Sequence, residues 1–591
     1  MTAHLGLLPH KVLREIRADG TILLRSGYAM PEAERSVGVW LDRWASSTPD
    51  AVFLAERSGP GWRTVKYREA QDQVTDLAAG LLARGVAGPI LILSGNSVDH
   101  ALLSLAAHYV GLVTVPVAEQ YSLIPAARGR LRYVAELVQP ALVYAADGAA
   151  YAEALALVDA PAIASRPGDS GADPLSALTG PMAPVAAAHA AVGPDTVAKL
   201  LMTSGSTSDP KAVVTTHGMM TANQAQIAQA FPFLSARPPV LVDWLPWNHV
   251  FGGSHNFNLV LANGGAFYVD GGKPLQALFP KTLENLGLVP GTISFNVPVG
   301  FAQLVAALDA DATLRETYFR DLDMIFYAGA SLPQDTWSEL ERMAIDTAGR
   351  MPLITSSWGL TETAPAALVQ HEPAKGAGIV GVPVPGVTVK LMDDGTGRMD
   401  VRVKGPSVFD RYLDDPTKTA AAFDDEGFFV TGDAMRFVDA DDAARGLRFD
   451  GRLSEDFKLS TGTWVQAANL RLAMLKALGP VAQDVVVCGA GRDTVGVLIL
   501  PGPEAKGGAV EGGALISDAA PQIAAALADH CAHATGSARQ VRRALVLADP
   551  PDMGAGEVTA KGNLNFAKLL ARRAALVDRL YDDNDPASIL L

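Results

Sequence analysis

Residues 203–211 read Thr203-Ser204-Gly205-Ser206-Thr207-Ser208-Asp209-Pro210-Lys211 and run into the strand-like Ala212-Val213-Val214-Thr215-Thr216. Hydroxyls and backbone N–H groups can donate from several directions in such a loop while the lysine supplies charge, which makes a cradle for an anion. Nucleotide phosphate is the natural candidate. A Walker A loop is excluded, because that motif needs Gly before the Lys and Ser or Thr after it, whereas Pro210 and Ala212 flank Lys211. Taken alone, a Ser/Thr/Gly/Asp/Pro cluster is also an ordinary turn.

Other chemistry-bearing residues recur down the chain. Trp358-Gly359-Leu360-Thr361-Glu362 supplies a carboxylate of the kind magnesium prefers alongside phosphate oxygens. Asp433, in Thr431-Gly432-Asp433, can accept two hydrogen bonds at once from a ribose diol. Arg452, after Gly451, is a fixed donor fork. Lys561 sits in the Gly-containing stretch Glu557-Val-Thr-Ala-Lys-Gly-Asn. Asp243-Trp-Leu-Pro-Trp247-Asn-His249-Val-Phe-Gly-Gly places aromatic rings and a histidine at a strand end, where open α/β sheets collect ligands, and Phe295 ends another strand pattern.

The elements that must position these groups follow from periodicity. Helical spacing covers 36–50 and 66–85; a buried strand follows from Pro89, then a helix from Asp99, a strand at 112–117, a helix from Ala126 and a strand at 141–145. Strand and helix in alternation predict a mostly parallel sheet with helical crossovers. Residues 165–194 read as a surface connection, 218–230 as a helix, and 386–438 as a mostly antiparallel β unit. Strands ending in small or polar residues lead into Gly329-Ala330-Ser331 and into the Trp358 motif. Beyond Arg452 the pattern restarts with strands at 484–488 and 494–500, a glycine-rich mobile loop at 503–513, and helices at 519–533 and 567–580. The expected fold is α/β: a large N-terminal domain (1–452) of parallel α/β subdomains plus a β unit, with a smaller mobile α+β C-terminal domain (453–591).

Composition bounds the function. The 591 residues, 49% hydrophobic and 19% charged, suit a globular chain too long for one core. A net charge of −15 argues against a nucleic-acid partner. The two cysteines, Cys488 and Cys531, support neither a disulfide framework nor a cysteine metal site. The N-terminus does not read as a signal peptide, the apolar stretch 101–118 is interrupted by His108, and the expected location is cytoplasmic.

The motifs together resemble the adenylate-forming superfamily of acyl-CoA synthetases, luciferases and adenylation domains. Residues 203–211 resemble its phosphate loop, 358–362 its aromatic-Gly-x-Thr-Glu motif, 431–433 its Thr-Gly-Asp, 451–452 the start of its hinge motif, and Lys561 its C-terminal lysine. The stretches from Asp243 and from Glu455-Asp-Phe-Lys458 look most like the feruloyl-CoA synthetase branch. The resemblance implies an acid:CoA ligase that forms acyl-AMP from an acid and MgATP and then acyl-CoA, with an aromatic acid of hydroxycinnamic type as substrate. It implies that Thr203, Ser204, Gly205, Ser206, Thr207 and Lys211 hold the β- and γ-phosphates, Glu362 holds magnesium, Thr361 touches the α-phosphate, and Trp358, Gly359 and the Gly329-Ala330-Ser331 loop border adenine. Asp433 takes the ribose and Arg452 the ribose or phosphate, Lys561 stabilises the pentacoordinate charge, and Lys458 with the segment to Gly462 borders coenzyme A. Trp247, His249 and Phe295 are expected in the acid pocket. A membrane span is not expected, and a homodimer is left open.

Departures are Ser208 and Ala212 in the phosphate loop, Ser454 at the hinge, and one residue added between Lys458 and Gly462. Two rival readings are loading of a free carrier protein and a catalytically silent nucleotide- or acyl-CoA-binding protein.

Overall fold

The computed structural model describes residues 5–591 apart from 204–209, 276, 396, 506, 553–554 and 559–563. Its first sheet has the strand order Lys211–Thr216, Val197–Thr203, Thr114–Pro116, Ile90–Ile92, Leu142–Asp147, Ala162–Arg166, Asp173–Pro174. The strand at Ile90 is apolar throughout because both of its faces are covered. Ile90 and Ile92 join the core that takes in Leu102, Leu103 and Ala106 of the Val98–Tyr109 helix, while Leu91 joins Leu131, Val134 and Val138 of the Arg128–Val138 helix. Strand pairs here are parallel except for Val197–Thr203 with Lys211–Thr216, which run antiparallel.

A four-stranded sheet joins Val240–Asp243, Ala266–Val269, Val52–Ser58 and Gly61–Lys66. The largest sheet has eleven strands among the described residues. Its parallel part, Ile293–Asn296, Met324–Tyr327 and Leu353–Gly359, continues through Ala366–Val369 and Ile379–Pro383 into antiparallel strands Leu447–Arg452, Phe429–Phe437, Met399–Lys404 and Thr388–Asp393. The expected β unit is therefore not a separate body, because those two connecting strands carry the hydrogen-bond ladder across. The hairpin of Val12–Ile16 and Ile22–Ser26, unassigned from sequence, extends the far edge of the same sheet.

From Leu459 onward a second set of cores forms. A sheet of Ala482–Cys488, Val495–Pro501, Val541–Leu547, Ala514–Ser517 and Gly508–Glu511 packs Leu470, Met474, Ile523 and Leu527 against one face and Leu569, Leu576 and Leu580 against the other.

Three local expectations are corrected. Within 165–194 the chain forms the Ala183–Ala191 helix, which buries Val185 and His189 although its Ala-rich sequence shows little periodicity. Within 503–513, Gly508–Glu511 pairs as a strand with Ala514–Ser517, so that part of the loop is ordered by a ladder that glycine content hides. The helix expected at 567–580 is divided into Phe566–Arg572 and Ala574–Leu580, with Arg573 at the junction donating to Glu557. No helix among the described residues is long and apolar enough to cross a membrane.

Candidate active site

Thr203 and Lys211 are ladder partners at the mouth of an antiparallel strand pair. The loop between them is held at both ends by that ladder; Ser204, Gly205, Ser206 and Thr207 themselves lie outside the described residues. Lys211 Nζ sits 4.6 Å from the centroid of the Tyr412 ring, a cation–π contact. The Tyr412 hydroxyl donates to Glu362 Oε1 at 3.1 Å. Tyr412, 5% exposed, thus ties the phosphate-loop lysine to the carboxylate expected to hold magnesium. Burial and then the Glu362 charge push its phenol well above its ordinary pKa, so it remains a hydrogen-bond donor. The sequence offers no local signal for Tyr412, since it lies in an unremarkable loop about fifty residues from Glu362 and becomes a neighbour only through the fold.

Thr361 and Glu362 occupy a short 3-10 turn, Thr361–Thr363, at the end of the Leu353–Gly359 strand. Phe409 N donates to the Glu362 carbonyl at 2.8 Å, fixing the turn against the following loop. A single buried carboxylate beside a cation fits magnesium that keeps waters and takes its other oxygens from nucleotide phosphate. Among the described residues no group of three His, Cys, Asp or Glu side chains forms an all-protein metal cage.

Trp358 is 6% exposed and its Nε1 donates to Asp433 Oδ2 at 2.8 Å. Asp433 Oδ1 accepts no hydrogen bond among the described residues, although Arg452 Nε lies 3.4 Å away. Burial raises the Asp433 pKa, opposed by Arg452 and by the Trp358 hydrogen bond. One buried oxygen is anchored and the other is open to a donor such as a ribose hydroxyl. Gly329, at φ +85°, Ala330 and Ser331 form an exposed loop beyond the Met324–Tyr327 strand.

Phe295 packs against Phe326, His255 and Phe251, with ring centroids 4.9, 5.4 and 6.0 Å apart. Trp247 is not beside it. Its indole is enclosed by His100, Phe257 and Phe267 at 5.1, 5.0 and 5.5 Å, a core position between the sheets. His249 is half-buried in the turn before the π-helical segment Phe251–Asn256, and its carbonyl accepts from Gly253 N. Phe251 and His255 are the aromatic neighbours of Phe295 that the motif contained but periodicity could not orient.

Lys458 is exposed, 4.9 Å from the Trp464 ring, on a two-stranded hairpin whose turn contains Gly462. Lys561 lies outside the described residues, but its flanks are well held. Val558 bridges Leu564, Asn565 N donates to the Glu557 carbonyl, and the buried Glu557 carboxylate accepts from Arg573 and from Asp552 N. Just before it, Gly556 packs against the Arg130 side chain of the Arg128–Val138 helix, closely enough that a Cβ there would collide with it.

Comparison with known proteins bears on the family and the fold. Residues 41–413 match the AMP-binding enzyme family and residues 456–585 match the AMP-binding enzyme C-terminal domain. The 3-[(3aS,4S,7aS)-7a-methyl-1,5-dioxo-octahydro-1H-inden-4-yl]propanoyl:CoA ligase of Mycobacterium tuberculosis is 27% identical, with 78% of this chain and 87% of that protein aligned. 4-Coumarate-CoA ligase 2 of Narcissus pseudonarcissus is 29% identical over 42% of this chain and 44% of its own length. Among solved structures, o-succinylbenzoate CoA synthetase from Bacillus subtilis, in complex with an acyl-adenylate, shares the fold with a TM-score of 0.67 at 17% identity, covering 91% of this chain and 98% of that one. With the larger part of its length, residues 41–413, matched by that family, the chain belongs to the AMP-binding enzyme family.

Proposed function

We propose that this acyl-CoA ligase of the AMP-binding family activates an aryl carboxylic acid of the hydroxycinnamic, feruloyl type. Joining an acid to the α-phosphate of ATP brings two anions together, so neutralisation and positioning dominate the barrier. In this reading Lys211 and the loop from Thr203 hold the β- and γ-phosphates, and Thr361 and Lys561 stabilise charge at the α-phosphate. Glu362 would hold magnesium, which would supply neutralisation of phosphate charge. Asp433 and Arg452 hold the ribose, and coenzyme A reaches the adenylate past Lys458 and Gly462 once the C-terminal domain, from residue 453, has turned.

The observation that carries the aryl preference is the cluster of Phe251, Phe295, Phe326 and His255. Aromatic walls favour a flat ring by stacking and burial. Incubation with MgATP, CoA and matched hydroxycinnamic, benzoic and fatty acids, with AMP and thioester measured, tests the reading. Aryl acids should give both products; AMP without thioester would favour carrier loading, and a preference for fatty acids would overturn the aryl assignment.

A further inference from the structure

The Phe251–Asn256 segment is a π-helical turn, a rare form found frequently at functional sites. Two buried side chains from other elements hold its backbone. Lys199 Nζ donates to the Gly253 carbonyl at 2.6 Å, and Gln224 Nε2 donates to the carbonyls of Ser254 and His255 at 3.2 Å each. The turn also packs so closely on the preceding loop that a Cβ on Gly253 would lie 2.1 Å from the Trp247 carbonyl oxygen and one on Gly252 2.4 Å from that of Leu245. Its register is therefore fixed.

What the turn presents is His255, 1% exposed. His255 Nδ1 is 2.9 Å from Asn256 Oδ1, and Asn256 Nδ2 donates to Asp243 Oδ2 at 2.9 Å. Asp243 Oδ1 accepts from Leu245 N at 3.1 Å. Burial raises the Asp243 pKa to about 7; above that pH both of its oxygens accept, so the Asn256 amide nitrogen faces Asp243 and its oxygen faces His255, which then carries its proton on Nδ1. That leaves Nε2 as a lone-pair acceptor. Burial lowers the His255 pKa to about 4, keeping the ring neutral. Nε2 has no hydrogen-bond partner among the described residues, and the ring lies among Phe251, Phe295 and Phe326, with centroids 5.6, 5.4 and 5.2 Å away. A buried acceptor left unpaired is costly and calls for an explanation. Of the three phenylalanines, Phe251 is only half-buried, so the approach to His255 is from its side.

We propose that His255 Nε2 accepts a hydrogen bond from a ring hydroxyl of the acid substrate, making His255 a specificity-determining residue and Asp243–Asn256 the relay that sets its tautomer. The proposal rests on the aryl-acid reading above. An acceptor in an apolar box rejects analogues that cannot donate, because its own lone pair is then stranded.

The test uses the full-length enzyme and aryl acids carrying a hydroxyl, a methoxy group or hydrogen at each ring position in turn, with kcat/KM read from pyrophosphate release. Wild type should prefer the hydroxyl over both alternatives by about tenfold or more at one ring position. His255→Phe should bring that ratio near one, and His255→Gln, which retains an acceptor, should restore part of the preference. Use of aryl acids without regard to the hydroxyl overturns the role of His255 alone, as does an equal loss on every acid in His255→Phe. If that variant fails to fold, the wild-type hydroxyl-to-methoxy ratio decides. Absence of turnover with any aryl acid, alongside turnover of an aliphatic one, overturns the aryl reading itself.

Discussion

Trp358 and Asp433 are joined by a 2.8 Å hydrogen bond from indole Nε1 to carboxylate Oδ2 across 75 residues of chain. The aromatic residue of one motif therefore fixes the carboxylate of another, which is a positioning role distinct from stacking on adenine. Trp358→Phe keeps a ring and removes the donor. It should raise the KM for ATP about three- to tenfold, the worth of roughly 1 kcal/mol for one hydrogen bond, with a smaller effect on kcat. Steady-state kinetics with ATP varied would check it; a change in kcat alone would argue against a ribose-side role.

Tyr412 lies between Lys211 and Glu362. Tyr412→Phe preserves the ring under the lysine and deletes the hydroxyl that orients the carboxylate. The magnesium concentration for half-maximal adenylation should rise severalfold, as expected when a hydrogen-bond partner of a metal-binding carboxylate is removed. A magnesium titration of pyrophosphate release reads this directly, and an unchanged midpoint would separate Tyr412 from the metal.

Lys561→Ala should reduce acyl-adenylate formation by a factor corresponding to about 3 kcal/mol, the scale of one lost transition-state donor. Thioester formation from supplied adenylate should be spared. The two half-reactions assayed separately distinguish this from a general loss, which would count against an adenylation-specific lysine.

Lys199 is fully enclosed and burial lowers its pKa to about 8. Between pH 8 and the ordinary lysine value near 10.5, the unfolded chain holds a proton at this site that the folded chain has released. Stability from this group therefore rises with pH across that window, by up to about 1.4 kcal/mol per unit, and below pH 8 the full cost of burying the charge is present. Lys199→Met should remove this slope. Urea unfolding of both proteins at pH 7.5 and 9.5 measures it, and parallel pH dependence in the two would refute the assignment.

Arg398, 2% exposed, reaches from the antiparallel strands to Asp456 Oδ2 at 2.5 Å and to the Asp450 carbonyl at 2.8 Å. Asn469 of the C-terminal Ala467–Leu478 helix adds a bond to Asp450 Oδ1. Arg398→Ala leaves the largely enclosed Asp456 carboxylate without its cation, while Asp450 keeps Arg436, a loss on the order of 3 kcal/mol for the contact. Limited proteolysis should then cut between residues 452 and 456 faster than in the wild type, before either core unfolds.

The sequence by itself determined the alternation of apolar strands and helices, because a strand such as Ile90–Ile92 must be apolar on both faces when helices cover both. It also determined the chemistry on offer at Lys211, Glu362, Asp433 and Lys561, since residue type and local spacing suffice to name donors, acceptors and charges. What only the tertiary structure decided is which of these groups meet. Tyr412 joins Lys211 to Glu362, Trp358 binds Asp433, and Trp247 turns into the core while Phe251 and His255 face Phe295. Those pairings span dozens to hundreds of residues and depend on sheet order and on a π-helical turn held by Lys199 and Gln224, none of which leaves a periodic signal in the chain.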